Sequence, residues 1–223
     1  MKNLIKQTLE RDFDLSQYAD FVKNLFNDIQ IQSQEIRVPD SSREFIKKII
    51  FLSEFCGTEQ KTIDIYAVEL AGGTKVERAR SFQRNLISKL LKDNTKDAGL
   101  AAFYSRDNPD DWRLSFIKLD YKLTDKGVKV EVGTPPKRYS FLVGKTEPSH
   151  TAQTQFLPIL ENHKKNPLLS DLEKAFSVEK VTKEFYERYR KLFEDLSRDL
   201  KKNRAFQIIA GKEVIDIDNF AFG

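Results

Sequence analysis

Lys61–Leu70 reads K-T-I-D-I-Y-A-V-E-L, and the fold turns on how that run is taken. β-Branched and aromatic residues dominate it, and apolar side chains fall on both faces. That pattern belongs to a central strand covered on both sides. Gly72-Gly73 ends the run. Thr74-x-x-Glu77 then has the form of a capping box, opening a helix to about Lys92 with Val76, Phe82, Leu86, Ile87, Leu90 and Leu91 inward. Gly99–Ser105 (G-L-A-A-F-Y-S) reads as a second interior strand. Strand, helix and strand in this order predict a βαβ crossover, right-handed by default.

Upstream, Asp14–Ile29 places Leu15, Tyr18, Phe21, Val22, Leu25, Phe26 and Ile29 on one helical face. Gln30–Val38 alternates weakly, as an edge strand does. Ser41-x-x-Glu44 precedes an apolar run in which a short helix passes into a strand near Ile49–Cys56. Downstream, Trp112–Leu123 and Arg138–Val143 are strand-like and flank the turn signal Asp125-Lys126-Gly127. After Gly144 the character is helical: Thr151–Leu160, then Ser170–Phe176 with the box Ser170-x-x-Glu173, then a long amphipathic helix over 178–202. The expected class is α/β to α+β, a mixed β-sheet flanked by helices, divided as a domain over 1–145 and a helical extension over 146–223.

The 223 residues carry 38 Lys plus Arg against 34 Asp plus Glu, a net charge of +4. A balance that mildly basic permits a polyanionic partner without requiring one. One cysteine excludes an internal disulfide and a cysteine-cluster zinc site. Cys56 sits in an apolar run and is expected to be a buried, inert thiol. His150 and His163 are the only histidines and have no cysteine near them, which argues against a histidine metal site. No segment has the roughly 18 apolar residues of a membrane span, and the first residues lack a signal-peptide core. The expectation is a cytoplasmic protein without a membrane anchor.

The chemistry gathers around Val76–Ser88, V-E-R-A-R-S-F-Q-R-N-L-I-S. A carboxylate, Glu69, closes a central strand, and a helix bearing Arg78, Arg80, Gln83 and Arg84 follows it. Nucleases meet a phosphate backbone this way; a plain βαβ unit with solvated arginines has the same pattern. Arg80 and Arg84 are four residues apart and Lys89 and Lys92 three, although the five-residue step from Arg84 to Lys89 breaks the stripe, and Lys137-Arg138 beside Tyr139 form a second basic spot. No G-x-S-x-G elbow supports a hydrolase triad.

Six segments in one order carry a resemblance. They are E-R-A-R-S-F-Q-R-N-L-I (Glu77–Ile87), D-A-G-L-A-A-F-Y-S (Asp97–Ser105) and D-D-W-R-L-S-F-I-K (Asp110–Lys118). K-R-Y-S-F-L-V-G (Lys137–Gly144), S-H-T-A-Q (Ser149–Gln153) and F-S-V-E-K-V-T-K-E-F-Y (Phe176–Tyr186) complete the set. Together they resemble the N-terminal region of type IIG restriction–modification proteins, which fuse an endonuclease region to an adenine-specific DNA methyltransferase. The N-P-P-[YF] tetrapeptide of the methyltransferase is missing, since Asn166-Pro167 continues into Leu168-Leu169. The resemblance is therefore to the front segment, without an S-adenosylmethionine site.

That resemblance implies a PD-(D/E)xK nuclease-like domain, in which two acids on adjacent strands hold Mg²⁺ beside a lysine. Glu69 is the natural second acid. Glu54 and Asp64 compete for the first; Asp64 and Glu69 are an odd number of residues apart and face opposite ways, so Glu54 is the better geometric partner. Glu69-Leu70-Ala71 stands where E-x-K belongs, leaving Lys75 or Arg78 to reach in and Gln83 to orient a water. The implied partners are double-stranded DNA, engaged through Arg78, Arg80, Arg84, Lys89, Lys137 and Arg138, and a downstream methyltransferase domain. A non-catalytic scaffold that docks that methyltransferase is the rival reading. The apolar stripe of the 178–202 helix needs cover, from within the protein or by dimerisation.

Overall fold

The computed structural model describes residues 1–27, 29–76, 80–122, 131–132, 136–177 and 179–202. Glu77 and Arg78, the Asp125-Lys126-Gly127 turn and the tail after Lys202 lie outside these. The chain divides into two compact units, Met1–Ser177 and Val178–Gly223. The division falls after Ser177 rather than after 145, because the two helices that follow Gly144 bury Phe156, Leu160, Leu172 and Phe176 in the core of the first unit.

The first unit is built on a mixed sheet of six strands. The strands in chain order begin with β1 (Gln34–Ile36), β2 (Ile46–Cys56), β3 (Thr62–Leu70), β4 (Ala98–Tyr104) and β5 (Asp111–Lys118). They continue with β6 (Tyr121–Lys122), β7 (Glu131–Val132) and β8 (Lys137–Gly144). β6 and β7 form a separate short pair. The other six lie side by side in chain order, and only β3 and β4 run parallel. The helices are α1 (Lys2–Leu9), α2 (Leu15–Leu25), α3 (Arg80–Asp93), α4 (His150–Leu160) and α5 (Leu169–Phe176), with α3 making the crossover between β3 and β4. In place of a helix after Ser41 there is a 3-10 turn, Asp40–Ser42, leading straight into β2.

Burial follows strand alternation. Ile63, Ile65 and Ala67 pack with Leu100, Trp112, Leu114, Phe116 and the helices α1, α2, α4 and α5. Tyr66, Val68 and Leu70 pack with Ala101, Phe103, Ile117 and the inner face of α3. The sheet therefore has an α1/α2/α4/α5 face and an α3 face. α2 is capped as its sequence dictates: Gln17 N donates to Asp14 Oδ1 at 2.8 Å. α1 was not legible beforehand; its Ile5 and Leu9 complete the first core.

The second unit's described element is α6 (Glu179–Lys202). Phe185, Tyr189, Leu192 and Leu196 form an exposed apolar stripe along it. Among the described residues no helix is long and apolar enough to cross a membrane.

Candidate functional site

Glu69 is the first residue to place, because the sequence reading hangs on it. It closes β3 on the α1/α2 face, since β3 alternates and Ala67 and Ile65 belong to that core. Its carboxylate is 2% exposed. Lys47 Nζ lies 2.9 Å and Arg106 Nε 3.2 Å from its Oε1, as ion pairs rather than aligned hydrogen bonds. Tyr104 stands beside it in register and stacks on Phe13 with ring centroids 4.1 Å apart. Burial, and then the Glu69 charge, push the Tyr104 phenol up to about 12. Glu69 is a buried anchor for two exposed cations.

Glu54 and Glu69 do not meet. The register sets Glu54 opposite Asp64, whereas Glu69 is opposite Lys48. Five strand positions at about 3.3 Å each put Glu54 and Glu69 roughly 17 Å apart along the sheet. A one-residue irregularity after Phe51 also turns the end of β2: Phe51 pairs with Tyr66, but Ser53 pairs with Ile65. Such a bulge flips the side-chain parity, so Glu54 shares the α3 face with Asp64 and Tyr66. The acid pair that forms is Glu54–Asp64, correcting the expected Glu54–Glu69.

This pair has its own partners. Tyr66 Oη donates to Asp64 Oδ2 at 2.7 Å, while the buried Asp64 Oδ1 has no hydrogen-bond partner. Burial raises the Asp64 pKa, opposed by the Tyr66 hydrogen bond and by Lys96, and reinforced by Glu54. Lys96 Nζ pairs with Glu54. Lys96 follows the end of α3 and was missed in the sequence, since nothing local links it to a glutamate on β2. No group of three or more His, Cys, Asp or Glu side chains gathers as a metal site among the described residues.

The predicted helper residues disperse. Gln83 is fully buried and donates Nε2 to Val76 O at 2.9 Å, which commits it to holding the start of α3 rather than a water. Lys75 is exposed on the connection after β3. Lys89 is exposed on α3. Lys137 turns toward α5 and pairs with Asp120 at 3.6 Å and Glu173 at 4.0 Å.

Arg138 behaves differently. It is opposite Ile117, a member of the α3-side core, so it rises on the face that α3 covers. Its guanidinium is half-buried, with Nη1 enclosed and without a hydrogen-bond partner. Burial lowers its pKa, and repulsion from Arg80 and then Arg84 lowers it further. Arginines predicted from two separate segments thus come within electrostatic reach of one another. Arg84 Nε makes only a long contact, 3.4 Å, to Asn85 Oδ1.

Small residues lie beside Arg138 on the same face of the sheet. Ala101, Ser115 and Ser140 are cross-strand neighbours on β4, β5 and β8. Ser140 Oγ accepts from Arg113 Nη1 at 3.1 Å. Ser115 is 0% exposed, and its Oγ has no hydrogen-bond partner. Elsewhere, a cleft of about 360 Å³ lined by Glu59, Lys61, Asp97, Lys118, Asp120 and Ser170 is internally neutralised by pairs such as Lys61–Asp97 and Lys118–Glu173.

Cys56 is exposed rather than buried. The bulge in β2 sends Phe55 into the core instead.

No protein-family model matches this chain, and no curated protein matches it. Among solved structures, a Methanococcus jannaschii protein described as a family II inorganic pyrophosphatase aligns at 17% identity. The alignment covers 50% of this chain and 32% of that one, with a TM-score of 0.25. A superposition that poor carries no argument about fold or activity.

Proposed function

We propose that this chain is a DNA-engaging domain of PD-(D/E)xK nuclease-like descent, of the kind at the front of type IIG restriction–modification proteins. Its DNA-facing surface is the α3 face that carries Arg80, Arg84 and Arg138. One observation carries the reading: half-buried Arg138, with Nη1 enclosed and without a hydrogen-bond partner, lies within electrostatic reach of Arg80 and Arg84 on α3. Such a cluster is unfavourable until an anion joins it, and the guanidinium fork matches phosphate oxygens. The six segments that resemble those proteins support the same descent, as does a mixed sheet with helices on both faces. The partners are then double-stranded DNA and a downstream methyltransferase domain, for which the exposed α6 stripe offers a docking edge.

Titrating a duplex against the wild type and the Arg80→Ala/Arg84→Ala variant over a salt series tests this. The variant should bind more weakly, with a salt slope flatter by about one for each phosphate that the helix no longer neutralises. Equal affinity and slope would remove α3 from the interface.

A second reading, a Mg²⁺-dependent phosphodiesterase, is favoured by the Glu54–Asp64 pair. Adjacent carboxylates are the hard oxygen donors that Mg²⁺ takes, and the unpartnered Asp64 Oδ1 leaves a lone pair for it. The ion would polarise the scissile phosphate, with Lys96 beside the pair to meet developing negative charge. Plasmid nicking with Mg²⁺ or Mn²⁺ should then vanish in Asp64→Asn and persist in Glu69→Gln. No metal-dependent nicking above background in the wild type leaves the scaffold reading alone.

A further inference from the structure

Along α6 the side chains of Phe185, Tyr189, Leu192 and Leu196 are apolar and between 44% and 68% exposed. Their steps of four, three and four are those of a coiled-coil seam, which meets a partner helix every 3.5 residues on average. Phe185 and Tyr189 stack with ring centroids 6.3 Å apart, so the seam has an aromatic end and a leucine end. Away from the seam the helix is charged, with Arg190 paired to Glu194 at 3.5 Å. An apolar patch of roughly 400 Å² is the size of a recognition surface, not of scattered exposed side chains.

We infer that this seam is an interface for a second copy of the same chain, the two α6 helices running antiparallel about a two-fold axis between Arg190 and Lys191. The inference is independent of the DNA reading, and it gives the stripe to a second copy rather than to a downstream domain. Two features select that occupant. The first is packing: the two-fold sets Phe185 against Leu196 and Tyr189 against Leu192 of the second copy, so every layer joins a ring to a leucine and large faces small. A parallel pair would stack ring on ring at one end and leucine on leucine at the other. The second is charge. Arg188, exposed beside Tyr189, falls opposite Asp195 of the second copy, and the symmetry makes that pair twice. Asp195 already accepts from Arg198 Nη1 at 3.0 Å, which uses one of the roughly four lone-pair sites of a carboxylate. In a parallel pair Arg188 would face Phe193 and have no such match. Self-complementarity in both shape and charge is what a two-fold contact requires; docking on an unrelated surface requires neither. With its flanks the seam closes on roughly 1,000 Å² in total, the low end of specific interfaces, and the dimer is a weak one of micromolar dissociation constant.

Sedimentation of the full chain in reductant, over about 1–200 µM and at low ionic strength, tests this. The mass should rise from one chain toward two across that range. Leu192→Asp should hold it at one chain throughout; Leu192 is largely exposed, and an unchanged circular dichroism spectrum confirms that the helix is kept. Arg188→Asp and Asp195→Arg should each weaken the dimer about tenfold, since either change turns two attractive pairs into two repulsive ones. Mixing these two variants should restore association, because the mixed dimer regains both pairs, and so should the double variant Arg188→Asp/Asp195→Arg. A chain that stays monomeric at the highest concentration overturns the inference and leaves the stripe to the downstream domain. A dimer untouched by Leu192→Asp places the contact elsewhere and overturns it as well. Charge variants that weaken nothing, or that fail to rescue one another, overturn the antiparallel pairing.

Discussion

Glu173 illustrates what single residues do here. The pattern Ser170-x-x-Glu173 suggests a capping box at the start of α5, but the cap is made earlier, where Leu168 N donates to Asp171 Oδ2 at 3.1 Å. Glu173 instead accepts from Lys118 Nζ at 2.9 Å and from Tyr139 Oη at 2.9 Å. A full positive charge on β5 outcompetes a backbone N–H for it. Burial works against the ionised carboxylate, yet the hydrogen bonds from Lys118 and Tyr139, with the charges of Lys118 and Lys137, hold its pKa below the usual 4.5. A depressed carboxylate stabilises the fold above its unfolded pKa and loses that contribution as pH falls through the folded one. Glu173→Gln should therefore cost about 1–2 kcal/mol at about pH 7, and the gap to wild type should close under acid conditions below 4.5. Denaturant unfolding at both pH values checks this; a gap that persists at low pH would mean packing, not charge, sets the cost. None of this was legible in the sequence, because the partners lie on β5 and β8.

At the scale of elements, the β3–α3–β4 unit was the most legible part. Strand runs apolar on both faces and a helix with an apolar stripe leave one arrangement that buries everything, and Tyr66, Val68, Leu86, Ile87 and Phe103 do meet in one core. Gly99 sets how tightly. A Cβ there would stand 2.9 Å from Ile87 Cγ2 and 3.4 Å from the Leu91 methyls, so α3 sits on β4 at a distance only glycine allows. Gly99→Ala should destabilise the unit by about 1–3 kcal/mol through overpacking and displace the helix that carries Arg80 and Arg84. Thermal unfolding measures the first effect; a Tm unchanged from wild type would contradict the close approach. The bulge in β2 was not legible. Periodicity follows residue number, and a single extra residue near Leu52 reverses every side chain after it, which is why Glu54 joined Asp64 and Cys56 came to the surface.

At the scale of the whole molecule, the two faces of the sheet separate what the sequence placed together. Glu69 and the α3 arginines are near in number but lie on opposite sides, with Glu69 serving Lys47 and Arg106 and the arginines gathered toward Arg138. Parity along β3 set Asp64 and Glu69 on opposite faces in the sequence, but the expected shared edge of Glu69 and the α3 arginines does not form. Only the pairing of β5 with β8 brings Arg138 over, and long-range strand order is what local pattern lacks. The outward turn of Cys56 has a practical corollary for assembly. As the sole thiol, and a solvent-facing one, it can bridge two molecules covalently when reductant is omitted, producing a species of doubled mass that has nothing to do with the α6 stripe. Sizing under reducing conditions separates the two origins, and the same thiol accepts a single maleimide dye on the strand that carries Glu54 without any engineered change.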